Sequence, residues 1–153
     1  MTKAIPQGHN TITPSIMVNG AAEAIELYKR ALGAKEISVL KSPNGGDKIM
    51  HACLEIGNSR VFLADAMPNC GAPSNSSFYL YVEDADSAFK KAKAAGLTEK
   101  FPPTEMFWGD RMGSVQDKFG IHWTLATHVR DVSQDELKKG AQEFAARMAN
   151  KAA

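Results

Sequence analysis

FWGDRMGSVQDKFGIHWTLATH, residues 107–128, contains two strand-like runs joined by a glycine turn. In residues 121–128, apolar side chains alternate with histidine, threonine or alanine. This two-residue period is typical of a half-buried strand. The four residues from Asp117 to Gly120 have the composition of a hairpin turn. We therefore predict a hairpin with one face packed on helices and the other face lining a ligand cavity.

The composition is typical of one compact domain spanning residues 1–153, with 44% hydrophobic residues and a net charge of +1. A nearly neutral chain lacks the basic surface that binds nucleic acid or an anionic membrane, so we expect neither partner. Residues 1–8 lack the apolar stretch of a signal peptide, and we expect a cytoplasmic protein without a membrane span. Cys53 and Cys70 are too few for a disulfide scaffold and are expected to be free thiols.

The order strand, helix and three strands occurs twice in the chain. The first unit occupies about residues 11–67 and the second about residues 77–128. One βαβββ unit cannot cover its own sheet, so the repeat predicts two packed modules that enclose a cleft. The two units can be aligned by matching Val18 with Val82. In this alignment the apolar helix positions coincide: Ala21, Ala24 and Ile25 match Ala85, Ala88 and Phe89.

A third amphipathic helix is predicted at about residues 133–149. It begins with the capping box Ser133-Gln134-Asp135-Glu136. Its apolar stripe consists of Leu137, Ala141, Phe144, Ala145 and Met148. We expect this helix to cover apolar surface of the domain or of a second subunit.

Several segments carry a resemblance to a known family. They are AIELYKRALGA in the first helix, MHACLEIGNSRVFLAD at residues 50–65, LYVEDADSAFKKAKAAG at 80–96, WGDRMGSVQDKFG at 108–120 and the later ATHVRDVSQDEL. Together they resemble the PhnB-like branch of the vicinal-oxygen-chelate superfamily, which contains glyoxalases, bleomycin-resistance proteins and extradiol dioxygenases. The resemblance implies an α+β fold in which two βαβββ modules form a cupped eight-stranded mixed sheet, plus the C-terminal helix. It also implies a homodimer with a small-molecule pocket for each pair of modules.

Metal-using members of this superfamily take one ligand from each of four strands. The resemblance puts Thr13, Leu63, Ser77 and Thr124 at those positions. Divalent transition metals need imidazole, carboxylate or thiolate donors, which none of these side chains provides. We therefore predict no cofactor; a divalent metal is possible but disfavoured. Where the branch usually has a histidine after the D-x-F-G turn, this chain has Ile121, and His122 follows.

The cavity face is predicted from the parity of those four positions, because side chains alternate along a strand. It would carry Thr13, Ser15, Met17, Val61, Leu63, Asp65, Ser77, Tyr79, Tyr81, His122, Thr124 and Ala126. Such a lining of aromatic rings and hydroxyls suits a small, partly apolar ligand held by a few hydrogen bonds.

Two further pairs are candidate pocket residues. His51 and Cys53 share a strand face and could act as base and nucleophile, although a packed cysteine and a hydrogen-bonded histidine explain them more simply. Arg111 beside Trp108 could grip a carboxylate or phosphate, or it could pair with Asp110 or Asp117 to fix the hairpin. We expect His9 and His128 to lie in solvent.

These observations support three functional hypotheses. The first is a dimeric small-molecule-binding protein of the glyoxalase and bleomycin-resistance type that lacks the four-ligand metal centre. The second is a lyase, isomerase or dioxygenase-like enzyme acting on a small oxygenated substrate with an unorthodox metal site, whose possible ligands are His51, Glu55, Asp65 and His122. The third is sequestration of a drug or toxin without turnover. Whether the chain is an enzyme stays open at this point.

Overall fold

The computed structural model describes residues 2–44 and 46–152 and confirms the predicted α+β fold of two βαβββ modules with a C-terminal helix. The first module contains β1 (Ser15–Val18), α1 (Ala21–Leu32), β2 (Lys35–Lys41), β3 (Ile49–Ile56) and β4 (Ser59–Asp65). The second contains β5 (Ser77–Tyr81), α2 (Ala85–Ala94), β6 (Thr98–Glu105), β7 (Asp110–Gln116) and β8 (His122–His128). The last helix is α3 (Gln134–Ala152).

The eight strands form two four-stranded mixed sheets of identical topology. Their orders are β1-β4-β3-β2 and β5-β8-β7-β6. In each sheet the first strand of the module pairs in parallel with the last, and the other pairs are antiparallel. The identical order and direction of the strands fit the duplication that the sequence indicated.

The duplication extends to the start of each helix. In the first module the Asp65 carboxylate accepts hydrogen bonds from the backbone N–H groups of Gly20, at 3.0 Å, and Ala21, at 3.2 Å. In the second module Thr127 Oγ1 accepts from Ala85 N–H at 2.8 Å. Asp65 is the last residue of β4 and Thr127 is the last but one of β8, so in each module a side chain near the end of the last strand binds free N–H groups at the helix start.

Both modules contribute to one continuous apolar core beneath α1 and α2. The core contains Ile16, Val18, Ala52, Leu54, Val61, Leu63, Val115, Trp123 and Leu125. The alternate strand residues point to the other side of each sheet, away from the helices. We call that side the open face of the module.

A buried carboxylate of the second module binds the helix of the first. Asp117 Oδ1 accepts the N–H groups of Phe119 and Ile121 and so closes the β7–β8 turn. Its Oδ2 accepts the Tyr28 hydroxyl at 2.8 Å and the Trp123 indole N–H at 3.1 Å. Burial and the nearby Asp117 carboxylate raise the pKa of Tyr28, so its phenol remains a donor. Tyr28 lies on α1, and the carboxylate therefore joins the two modules.

The predicted capping box of α3 is confirmed. Ser133 N–H donates to Glu136 Oε2 at 2.8 Å, and Glu136 N–H donates to Ser133 Oγ at 3.3 Å. The helix contacts the domain through Phe107, whose ring lies 5.8 Å from that of Phe144. Within residues 2–44 and 46–152, no helix is long and apolar enough to cross a membrane.

We expect Asp117→Ala to lower the free energy of unfolding by about 3 kcal/mol or more, because it leaves four donors, most of them buried, without an acceptor. Tyr28→Phe removes only one of these hydrogen bonds and should cost about 1 kcal/mol. Denaturant unfolding measures both values. The control is Asp47→Ala, since the Asp47 side chain is exposed; an Asp117→Ala variant as stable as this control would contradict the assigned role.

Candidate functional site

Strands β5 and β8 place aromatic, hydroxyl and imidazole side chains on the open face of the second module. Their parallel register sets Ser77 beside His122 and Tyr79 beside Thr124. Tyr79 is 44% exposed and Tyr81 is 62% exposed, which is high for large aromatic residues. The placement of these residues follows the predicted strand facing.

Asp110 organises this face. It begins β7, is only 3% exposed, and lies opposite His128 of β8. Its carboxylate accepts the hydroxyl of Tyr79 at 2.8 Å and that of Tyr81 at 3.0 Å, and it contacts Nδ1 of His128 at 2.8 Å. The indole N–H of Trp108 donates to the Tyr79 hydroxyl oxygen at 3.4 Å. We call Tyr79, Tyr81, Trp108, Asp110 and His128 the phenol–carboxylate cluster.

The hydrogen bonds within the cluster determine the protonation state of its members. Burial by itself would raise the pKa of Asp110, but hydrogen bonds from His128, Tyr79 and Tyr81 hold it below its usual value. Burial and the hydrogen bond to Asp110 raise the pKa of Tyr79 to about 12, so the phenol stays neutral. Hydrogen bonds to Asp131 and Asp110 raise the pKa of His128. Both ring nitrogens of His128 face carboxylates, and only the imidazolium can donate to both.

Part of the open face of the first module is covered by the segment that precedes β1. The ring of His9 lies 5.5 Å from that of Phe62, and its Nε2 is 4.0 Å from the sulfur of Cys53. Cys53 is consequently 5% exposed. His51 packs edge-on against the other side of Phe62 at 4.8 Å and is exposed. Cys53 therefore has His9 as its imidazole neighbour, not His51 as considered from the sequence.

Arg60 lies under the same segment. Its guanidinium binds Glu55 at 3.1 Å, and the backbone at Gly8 packs so closely that a Cβ there would lie 3.1 Å from Nη2 of Arg60. Gly8 has a φ of 80°, a conformation that glycine adopts without strain. Gly8 and His9 therefore pack against this sheet.

The predicted facing of β4 is wrong by one residue. Val61 and Leu63 pack in the core, and Asp65 is 2% exposed on the helix side, where its carboxylate also accepts Ile49 N–H at 2.7 Å. Burial would raise the pKa of Asp65, but these backbone N–H groups lower it, so it remains a charged helix cap rather than a pocket residue. Phe62 takes the open-face position and offers no metal ligand either.

Three other expectations also need correction. Arg111 points to the helix side and makes two hydrogen bonds to Asp86 of α2, at 2.5 and 2.8 Å, so it pairs with neither Asp110 nor Asp117. His9 was expected in solvent but is half-buried against Phe62 and Cys53, whereas His128 is exposed as expected and also binds Asp110 and Asp131. Thr13 precedes β1 and donates to the carbonyl of Asn10 at 3.3 Å, whereas Ser15 lies on the open face beside Phe62.

The residues proposed for an unorthodox metal site do not converge. His51 and Glu55 lie on the open face of the first module, His122 lies on that of the second, and Asp65 faces α1. Across residues 2–44 and 46–152, no group of three or more His, Cys, Asp or Glu side chains is arranged to hold a metal ion.

Asp110, His128 and His9 belong to side-chain clusters that the sequence patterns did not predict. The strand period could have revealed the first two, because the tight β7–β8 turn pairs the start of β7 with the end of β8. Nothing local in the sequence indicates that residues near His9 return to cover β3 and β4.

Two βαβββ modules with an aromatic and hydroxyl-rich open face define a class of paired-module folds. The chain belongs to the Glyoxalase/Bleomycin resistance protein/Dioxygenase superfamily, whose family model matches residues 8–125. This finding confirms the superfamily that the sequence motifs indicated.

Individual relatives are similar along most of the chain. Uncharacterized protein Rv0887c of Mycobacterium tuberculosis is 36% identical over 137 residues, which cover 83% of this chain and 79% of that protein. Protein YjdN of Escherichia coli is 32% identical over 68% of this chain and 85% of its own length. The solved structure of PA1353 from Pseudomonas aeruginosa has a TM-score of 0.63 at 28% identity, covering 79% of this chain and 99% of that one. The PhnB protein of Bacillus cereus shares the fold, with a TM-score of 0.63, 20% identity and coverage of 77% and 99%.

Removal of residues 1–10 is expected to uncover the Cys53 thiol. In a Cys70→Ser background, which removes the exposed thiol, an aromatic disulfide reagent should react with the truncated protein several-fold faster than with the full chain. His9→Ala in the full chain should give an intermediate rate. Equal rates for the full and truncated chains would show that the segment does not protect Cys53.

The midpoint of the His128 titration, followed by NMR of the imidazole protons, is expected above 6.5. Asp131→Asn should lower it. Because the folded-state pKa is raised, His128 stabilises the fold fully below its unfolded-state pKa, and the stabilisation disappears as the pH rises through the folded-state pKa. The stability advantage of the wild type over His128→Gln should therefore shrink on going from weakly acid to alkaline pH; a constant difference would contradict the assignment.

Proposed function

We propose that the chain binds a small, partly apolar molecule on the open face of the second module. The phenol–carboxylate cluster carries this proposal. Tyr79 and Tyr81 are substantially exposed, yet both hydroxyls are anchored on one buried carboxylate. Aromatic rings held in place before a ligand arrives lose little entropy on binding, and they combine apolar contact area with a polar atom.

A neighbouring set of side chains supports the same face as the binding surface. On the same face Thr124 is half-buried beside Tyr79, His122 is half-buried beside Ser77, and Trp108 contacts Tyr79. This mixture of rings with a few convergent polar groups is typical of ligand sites.

We also propose that a second copy of the chain completes the site, as the superfamily resemblance implies. In a single chain both modules carry exposed apolar residues, with Leu40 and Met50 in the first and Tyr79, Tyr81 and Phe101 in the second. A partner that covered these residues would turn an open sheet face into a closed cavity. The free thiols Cys53 and Cys70 fit a cytoplasmic location, where thiols stay reduced.

We propose no four-ligand metal centre in this site and no cofactor. The support is chemical: the strand positions in question hold Thr13, Phe62, Ser77 and Thr124, none of which is a usual ligand for a divalent transition metal. Binding without turnover, as in the sequestration of a drug or toxin, and catalysis on a small oxygenated substrate would use the same face. Assaying for product formation with any ligand that binds separates these two alternatives.

The test is a screen of small aromatic and oxygenated molecules, followed by NMR of the two indole N–H groups. Trp108 belongs to the cluster, whereas Trp123 is buried and bonded to Asp117, so it serves as an internal control. Ligands are expected to shift the Trp108 signal in a saturable manner and leave Trp123 unchanged. Ligands that bind while moving only first-module resonances, or purified protein with about one bound transition ion per chain, would contradict the proposal.

A further inference from the structure

The positions of the protons in the phenol–carboxylate cluster determine which ligand groups it can recognise. The Asp110 carboxylate has no proton, so Tyr79 and Tyr81 must both donate their hydroxyl hydrogens to it. Each phenol oxygen then presents only lone pairs in its other directions. The Tyr79 oxygen already accepts the Trp108 indole N–H with one of them. Toward a ligand, both phenols therefore act as hydrogen-bond acceptors.

The charges around the two phenols also favour a ligand group that donates hydrogen bonds or carries a positive charge. Asp110 and Asp131 flank His128, so a negative charge remains even when the imidazole is protonated. Arg111, which follows Asp110 in the chain, is turned to the opposite face and paired with Asp86. Its positive charge is thus neutralised on the other side of the sheet.

The aromatic rings of Tyr79 and Tyr81 also attract a positively charged ligand group. The ring centroids of Tyr79 and Tyr81 are 5.3 Å apart at an interplanar angle of 57°, and parts of both rings are exposed. The faces of aromatic rings attract cations, and two inclined rings can contact one cation together.

We propose that this face selects molecules in which an ammonium or other N–H donor group is attached to an apolar body, in preference to carboxylates of the same shape. The inference rests on the proposed function, because the face must bind a small molecule at all. The donor group binds the phenol oxygens of Tyr79 and Tyr81, and the apolar body lies against Trp108.

Three probes that share a naphthyl ring and have similar size test the selectivity: naphthylmethylammonium, naphthylmethanol and naphthoate. Each is titrated into the full chain while the Trp108 and Trp123 indole signals are followed. The ammonium probe is expected to bind about tenfold more tightly than naphthoate, with the alcohol between them. Naphthoate binding as tightly as the ammonium probe would overturn the selectivity and leave the proposed function intact. If none of the probes moves the Trp108 signal, both fail.

The variant Tyr81→Phe separates the hydroxyl from the ring. It keeps the aromatic surface at an exposed position and removes one acceptor oxygen. The ammonium probe should lose affinity several-fold, whereas naphthoate should bind as before or more tightly. Tyr28→Phe is the matched control, because it also removes a phenol that donates to a buried carboxylate but lies in the core. Equal losses for all three probes in Tyr81→Phe, or the same selective loss in Tyr28→Phe, would overturn the assigned role of the phenol.

Discussion

The relation between the two modules depends on the burial of one carboxylate. A buried charge is tolerated only when hydrogen-bond donors surround it, and Asp117 finds four donors in three different places. Two lie in its own turn, one is the indole of β8, and one is the hydroxyl of Tyr28 on α1. Because these donors must converge on one group, the β7–β8 hairpin is fixed relative to the first module. The open-face residues of β8 are positioned as a result.

The three buried acidic residues of the described chain divide into two kinds by the nature of their partners. Asp65 and Asp117 bind backbone N–H groups and core side chains, so they stabilise a helix start and a turn. Asp110 instead binds Tyr79, Tyr81 and His128, all of which are exposed. Folding gains little by fixing exposed phenols, whose hydroxyls water could satisfy. The burial of an acid whose partners are exposed side chains therefore supports the proposed ligand-binding face.

Local sequence patterns predicted the modules and the facing of β5 and β8, because there only one side of the strand is apolar. The facing of β4 was predicted from the superfamily's ligand positions instead, and it was wrong: Phe62 is apolar on the open face and Asp65 is polar on the core side. Each exception has a distant cause: His9 and His51 cover Phe62, and the N–H groups of α1 bind Asp65. The Arg111 to Asp86 pair is equally non-local. The alternation of polar and apolar residues along a strand is local information. It therefore cannot predict contacts with residues that are distant in the sequence.

Duplication produced two sheets with equivalent positions but different chemistry. The parallel pair Ser15 and Phe62 in the first module corresponds to the pair Tyr79 and Thr124 in the second. Each pair combines an aromatic ring with a small hydroxyl side chain. The ring lies on the last strand of the first module, at Phe62, but on the first strand of the second module, at Tyr79. In the first module His9 covers the Phe62 ring, so the chain itself occupies that part of the face. In the second module the rings border the buried Asp110 and remain open. This difference between the two halves is why we propose ligand recognition in the second module, where the chain orients the polar groups but does not cover them.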